Sequence, residues 1–361
     1  MTASYLKSRL KRVATAGALD AISLAWRFPG LSHLTKRTRG DALIVTLHHV
    51  RPFQRMPFAP NAHLEITPEF LGTAIRQLLA DGYEPASLEA LPELVARHAG
   101  QKRFVAFTLD DGYRNNRDHA LPVFERHGVP FTVFVTAGFA ERTRTIWWET
   151  AAALLNHVDS LEHDFGHGRE RLRAERIEEK ADAFSRISRA IRSSSEDDAV
   201  ARLDETARAA GIEPLDIARD LTMDREELKA FAEKPGVSLG AHTLTHPSLA
   251  HVDPARLADE LISSAGYVAG LTGRRVDTFA YPYGSACACG IREFLAARDA
   301  GFKIAVTTQP GTVDRAFLDR SPTALPRVSL NGHFQKARHV SALATGLPFA
   351  SKRRPASAPH G

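Results

Sequence analysis

Short apolar runs that stop at polar residues recur along the chain. Phe104 to Leu109 is apolar except for Thr108, and it ends in Asp110, Asp111 and Gly112. Such a run reads as a strand buried on both faces, and the glycine allows a tight turn after it. Asp41 to Val50 repeats the design, with His48 and His49 near its end. Further runs predict strands at Val129–Val135, Gly236–Ala241, Val276–Ala280, Phe302–Thr308 and Leu325–Leu330. Between them the apolar spacing turns helical. Thr67 and Pro68 form a helix start, Phe70, Ala74, Leu78 and Leu79 give its inner face, and Gly82 ends it. Helices are also expected over Leu88–His98, 116–127, 254–271 and Ile291–Ala300, with loops over 51–66 and 138–148.

Strand–helix alternation predicts right-handed parallel crossovers and an α/β domain over residues 41–335. A barrel of parallel strands would bring His48, Asp110, Asp111, His242 and Tyr281–Gly284 to one face, because each follows the end of a strand. Residues 149–234 are charged and helical in period, with Leu154, Leu155, Phe184, Ile187, Ile191, Leu203 and Leu228 as inward positions. They read as a helical insertion. From about 345 to 361 the Pro, Ala, Ser and basic content predicts a mobile tail.

The charge is unevenly placed. The formal net charge of the 361 residues is +5, yet residues 1–40 hold eight Lys or Arg against one acid, Asp20. That leaves 39 basic and 41 acidic residues elsewhere, a net of −2, which argues against a nucleic-acid-binding body. Leu6, Leu10, Val13 and Ala14 share one helical face in this basic arm, near Lys7, Arg9, Lys11 and Arg12. A helix docked on the domain or a frayed end are the plain readings; peripheral contact with an anionic membrane is the other. No clean secretory h-region is evident, so the cytoplasm or the inner membrane face is expected. Cys287 and Cys289 are too few and too close for a structural disulfide or zinc site, and read as buried or free thiols.

Two stretches carry chemistry. His242 and His246, four apart in His242-Thr243-Leu244-Thr245-His246, would point the same way from a helical turn. With a carboxylate they make a two-His, one-Asp ligand set that leaves positions open, as catalytic metal sites do. A polar helix start explains the same residues without a metal. Asp110 and Asp111 are too close for a glycosidase pair, which must flank a bond several ångströms wide. One as metal ligand and its neighbour as general base toward water suits adjacency better. A turn that favours Asp and Gly is the alternative.

Together these stretches resemble the polysaccharide deacetylases of carbohydrate esterase family 4, the NodB-homology group. Thr108-Leu109-Asp110-Asp111-Gly112 resembles that family's first motif, with Leu109 in place of Phe. His242-Thr243-Leu244-Thr245-His246 resembles the second, and Tyr281-Pro282-Tyr283-Gly284 the third. The resemblance implies a distorted (β/α)7-type barrel and a divalent metal, commonly zinc, on Asp111, His242 and His246. It implies Asp110 as base and the backbone N–H of Tyr283 as oxyanion donor. The third motif of the family carries an Arg two residues before the Pro. Ala280 stands there in this chain, and Arg327 on the last strand is the candidate replacement. The late Leu-x-His motif is also absent, since Leu330-Asn331-Gly332-His333 has one residue too many. Leu47-His48-His49-Val50 is instead similar to the early Tyr-His-x-Val of the poly-β-1,6-N-acetylglucosamine deacetylases. His48 is therefore the candidate acid, with His49 and His333 in reserve and a packed strand-end histidine as the alternative.

The expected activity is metal-dependent removal of acetyl groups from N-acetylglucosamine-containing oligo- or polysaccharide. Trp147, Trp148 and Tyr281 offer flat faces for sugar rings, unless they are core. Tyr281, Pro282, Gly284, Arg327 and Trp147 are the expected substrate contacts. Hydrolysis of a small non-sugar amide and a catalytically inactive sugar-binding scaffold are the competing functions.

Overall fold

A computed structural model describes residues 3–26, 35, 38–193 and 195–352 of the chain. Its strands, in chain order, are β1 (Ala42–Leu47), β2 (His49–Val50), β3 (Glu65–Ile66), β4 (Tyr83–Pro85), β5 (Arg103–Leu109), β6 (Phe131–Val135), β7 (Ser160–Asp164), β8 (Arg169–Arg173), β9 (Val237–Ala241), β10 (Thr278–Ala280), β11 (Ile304–Pro310) and β12 (Leu325–Ser329). Seven of them close a parallel barrel in the order β1-β12-β11-β10-β9-β6-β5, because β5 returns to pair with β1. Short β4 pairs with the start of β5. The expected distorted (β/α)7 barrel is the fold, with helices on its outside.

Period-2 alternation explains the two layers. Ala42 and Ile44 of β1, Phe104 and Ala106 of β5, Phe134, Ala280, Val306 and Leu325 fall in one apolar cluster. Leu43, Val45 and Leu47 of β1 and Val105, Phe107 and Leu109 of β5 face the other way, into a cluster shared with the surrounding helices. Those helices supply Leu71, Ile75, Leu78, Phe124, Leu257, Leu261 and Val268. The predicted starts and stops hold where cap chemistry is strong. Thr67 accepts from Phe70 N at the head of the Pro68–Ala80 helix, and Asp253 caps Pro254–Thr272, which stops at left-handed Gly273.

Register sets the height of the polar tips. Leu47 of β1 is level with Leu109 of β5, so His48 and Asp110 emerge side by side. Val135 of β6 is level with Ala241 of β9, which places His242 at the same end.

Several expectations change. The first strand stops at Leu47, and His49–Val50 pairs with β3 inside the stretch expected to be loop. Trp147 and Trp148, expected in an exposed loop, open the Trp147–His157 helix and are buried. The segment expected to be wholly helical contains the β7–β8 hairpin, whose Leu161, His163 and Leu172 turn inward while charged neighbours turn out. That alternation is short and dominated by charge, which hides it from a helical reading. The insertion has its own apolar cluster, from Ile146 and Trp147 through Leu154, Leu155, Ile187, Ile191 and Leu203 to Ala218. Met223, Leu228 and Phe231 belong instead to the layer around the barrel. The stretch expected to be mobile from 345 begins packed: Thr345 is buried and its carbonyl accepts from the Thr38 hydroxyl at 2.6 Å. A 3-10 turn, Leu347–Lys352, follows, and residues 353–361 lie outside the described residues. The N-terminal arm carries a 24-residue helix, Ala3–Trp26, that packs on the Ala337–Ala344 helix. Side chains of residues 1–9, and so of Leu6, Lys7 and Arg9, lie outside the description, as do Arg27, Lys36 and Arg37. Among the described residues no helix is long and apolar enough to cross a membrane.

Candidate active site

The strand tips meet at one end of the barrel, around a cleft of about 340 Å³. Asp111, His242 and His246 come together there, all buried, with one possible ligand atom from each lying within 4.8 Å of the others. His242 Nε2 is 3.5 Å and His246 Nε2 3.4 Å from Asp111 Oδ1.

Whether these groups fit a cation follows from their hydrogen bonds. His242 Nδ1 lies 2.6 Å from the Ala280 carbonyl, an acceptor, so Nδ1 carries the proton and donates it. A neutral His242 then turns a bare Nε2 toward Asp111 Oδ1, which has no hydrogen-bond donor. Lone pairs facing one another across a buried gap need a cation between them. Protonated imidazoles bonded to Asp111 are the alternative to such a cation: they would draw its carboxyl well below the usual range against the effect of burial and raise the His242 imidazolium. The donor set suits a divalent metal that accepts nitrogen and oxygen ligands.

The two histidines do not share a helical turn, as their spacing suggested. Residues 242–248 form an irregular loop in which Thr243 and His246 have φ of 65° and 58°. Asp111 (75°) and Tyr283 (59°) are also left-handed. Four of the five non-glycine residues with positive φ among those described therefore lie in the three motifs, a conformation that costs energy and is held by its surroundings. Glu260, buried on the Pro254–Thr272 helix, accepts from Leu244 N (2.7 Å) and Thr245 N (3.0 Å) and ties the histidine loop down. Gly138 lets that loop approach: a Cβ there would come within 2.8 Å of the Leu244 carbonyl.

Asp110 is held by Arg327. Two guanidinium nitrogens donate to its two oxygens at 2.7 and 2.6 Å, and the same side chain donates to Thr108 Oγ1 and the Thr307 carbonyl. Arg327 is 0% exposed, and each of its three nitrogens donates to a buried acceptor. It reaches Asp110 from β12, a different strand from β10, which carries Ala280. Burial pushes the Asp110 carboxyl up, but the charge and hydrogen bonds of Arg327 outweigh it and keep the group ionised. His48 sits on the bend after β1, its Nε2 3.9 Å from Asp110 Oδ2 and its ring on the cleft wall. Its carbonyl accepts from Asn116 at 2.8 Å, which fixes the bend. Burial lowers the His48 imidazolium pKa against the pull of Asp110 and Asp111, which makes its protonated form the stronger acid.

The remaining expected contacts divide. Trp147 and Tyr283 line the cleft, and Trp147 Nε1 donates to Tyr283 Oη at 2.8 Å. Tyr281, Pro282, Gly284 and Arg327 do not. The Tyr281 ring is 1% exposed and its hydroxyl donates to the Thr323 carbonyl, so it is core. Gly284 (φ 58°) is pressed against β11, where a Cβ would fall 2.4 Å from Thr308 N. Arg327 acts behind Asp110. Of the reserve histidines, His49 is wholly buried, stacked on Tyr113 and bonded to Asn115, and His333 does not line the cleft.

Sequence reading missed Asn61, His63, Phe184 and Arg192 as walls of the cleft, since all come from loops or the insertion. It also missed Glu196, which accepts from the Tyr283 hydroxyl (2.5 Å) and from Ser248 N (2.8 Å), joining two motif loops. No local pattern marks it out.

Fold and site together define a barrel hydrolase with a His-His-Asp centre and an ionised carboxylate beside it. The sequence pattern of the polysaccharide deacetylase family matches residues 97–304, and the chain belongs to that family. Solved structures share the fold at low identity. PplD, a deacetylase of Streptococcus pyogenes, is 16% identical with a TM-score of 0.52, over 81% of this chain and 92% of that one. BC0361, a polysaccharide deacetylase from Bacillus cereus, is 14% identical with a TM-score of 0.53, over 84% and 68%. IcaB from Ammonifex degensii is 17% identical with a TM-score of 0.50, over 85% and 97%. No curated protein matches the chain. The protein is a polysaccharide deacetylase, acting on the carbon–nitrogen bond of an amide.

Proposed function

We propose that the protein removes acetyl groups from N-acetylglucosamine units of an oligo- or polysaccharide, with a divalent metal, zinc foremost, held by Asp111, His242 and His246. The observation that carries this reading is the contrast between adjacent carboxylates. Asp110 has both oxygens filled by Arg327, while Asp111 Oδ1 has no donor and faces two imidazoles. One is dressed as a base, its neighbour as a ligand.

When bound, such a metal supplies Lewis acidity toward the acetyl carbonyl and the attacking water. The chain supplies the rest. Asp110, oriented by Arg327, takes a proton from water as it attacks the carbonyl carbon. The Tyr283 N–H, which meets no backbone acceptor among the described residues, is available to the oxygen that gains charge. His48 delivers a proton to the nitrogen as the carbon–nitrogen bond breaks, releasing acetate and a free amine. Trp147, Leu64 and Phe184 give the cleft apolar walls suited to a sugar ring.

The test is acetate release from β-1,4 and β-1,6 N-acetylglucosamine oligomers by chelated protein, before and after zinc, beside Asp111→Ala. Release restored by zinc and missing in the variant is expected. Zinc binding at one equivalent with no release from either oligomer would direct the search to another amide. Failure to bind zinc at all would favour a scaffold that keeps only the fold.

A further inference from the structure

The Ala3–Trp26 helix is amphipathic in the wrong sense for a helix that simply covers a core. Surface helices of globular proteins turn apolar residues inward and polar ones outward. Here Leu10, Val13, Ala14, Gly17, Ala21 and Leu24 form the exposed face, at steps of three and four residues. Leu10, Val13 and Leu24 are 61%, 71% and 61% exposed. The side toward the body carries Ser23, buried, and Asp20, whose carboxylate accepts from Arg338 (2.6 Å) and bonds His339 (2.7 Å). Leu19 is the one fully buried apolar side chain described in this helix. Among the side chains described, residues 10–25, these polar bonds and Leu19, with Ala16 and Ile22 half-buried, fasten the helix, and its apolar stripe is left for something else.

We propose that this face lies in the interface of an anionic membrane. Charge selects the membrane over a second copy of the chain. Residues 1–40 carry eight basic residues and one acid on a body of net −2. Two such arms laid face to face repel, whereas an anionic surface attracts each of them. An apolar stripe on a basic helix, with no segment able to span, is the pattern of a helix that lies on a bilayer.

The placement has a consequence for the substrate, and this part rests on the deacetylase reading. The helix packs against the Ile177–Ser193 helix, whose Phe184 and Arg192 line the cleft. A bilayer against this helix brings the cleft close to glycans anchored on lipid.

The test is co-sedimentation with vesicles of neutral phosphatidylcholine, with and without a quarter of phosphatidylglycerol. Wild type should bind the anionic vesicles and release at high salt. The variant Leu10→Glu/Val13→Glu/Leu24→Glu, altered only at exposed positions, should lose at least about tenfold in partition while keeping its thermal transition and acetate release from soluble oligomers. On vesicles bearing a lipid-linked N-acetylated sugar, wild type should outpace that variant. Binding is measured on Asp111→Ala as well, so that a failure of the chemistry does not touch it. Equal binding of variant and wild type overturns the proposal. So does a wild-type dimer that ignores vesicles and becomes monomeric in the variant, which would assign the face to a second copy.

Discussion

Barrel and insertion each give the cleft part of its wall, by different means. Asp110, Asp111, His48 and His242 stand within two residues of the end of a strand. A continuous parallel ladder, from β1 through β5, β6 and β9, fixes their heights relative to one another. Trp147, Phe184, Arg192 and Glu196 come from helices with a separate apolar cluster. Their positions depend on how that cluster seats against the barrel loops that carry Tyr113 and Phe139. Groups set by a ladder are placed finely enough for bond-making, while groups set by helix packing shape what enters and steady what is there. Damage to the barrel tips should therefore reach the chemical step, and damage to the insertion should reach substrate fit and fine placement.

The strongest way to break this contrast is Arg327→Met. Removing one partner of a buried ion pair leaves Asp110 uncompensated, at a cost of about 3–5 kcal/mol in stability, and about a hundredfold or more in kcat is expected to go with the oriented base. Urea unfolding and acetate release measure the two. The double variant Arg327→Met/Asp110→Asn should regain stability but no activity. Activity that survives in Arg327→Met would mean that Asp110 is not the base.

Glu196→Ala tests the insertion at its nearest approach to the motifs. It removes the acceptor for the Tyr283 hydroxyl and for Ser248 N, and kcat/KM should fall about tenfold, with Glu196→Gln recovering most of it. A loss as deep as that of Arg327→Met would place the insertion inside the chemical machinery and end the distinction.

The smallest effect concerns the insertion's own stability. Burial raises the Asp204 carboxyl from 3.8 to about 6, although the Thr145 hydroxyl donates to it. A folded-state pKa raised above the unfolded value favours the protonated form. Its stabilisation is full below pH 4 and lost as pH rises through 6, a span of at most about 3 kcal/mol. Asp204→Asn, neutral throughout, should raise the melting temperature at pH 7.5 more than at pH 4.5. An equal change at both values would show that Asp204 is ionised in the fold at either pH.

How far the molecule can be read from its residues differs between the same two regions. Strands β1, β6 and, from Phe104, β5 are buried throughout and apolar but for Thr46, Thr132 and Thr108, because a parallel barrel buries both faces. Their ends, and so the polar tips, are local features. The pair at 242 and 246 was legible as chemistry but not as geometry. Spacing of four suggested a helix, whereas left-handed Thr243 and His246 and the buried Glu260 carboxylate shape the loop. Tyr281 and Tyr283 sit two apart on similar chemistry, yet one is core and the other wall, since Tyr281 continues the helix-facing phase of Phe279 in β10. The insertion's charged alternation gave no sign of its hairpin, and Trp147 and Trp148 looked like surface because their covering residues lie far along the chain.

The sequence by itself determined the barrel, the tips that carry Asp110, Asp111, His48 and His242, and the family to which they belong. It did so because strand burial and strand ends are written in runs of neighbouring residues. Only the tertiary structure decided that Arg327 holds Asp110, that Glu196 joins two motif loops, that Tyr281 is hidden, and that the N-terminal helix turns its apolar stripe away from the body. Each of these depends on which distant side chains meet, and a pairing across 217 residues, such as Arg327 with Asp110, leaves no trace in the local pattern of either segment.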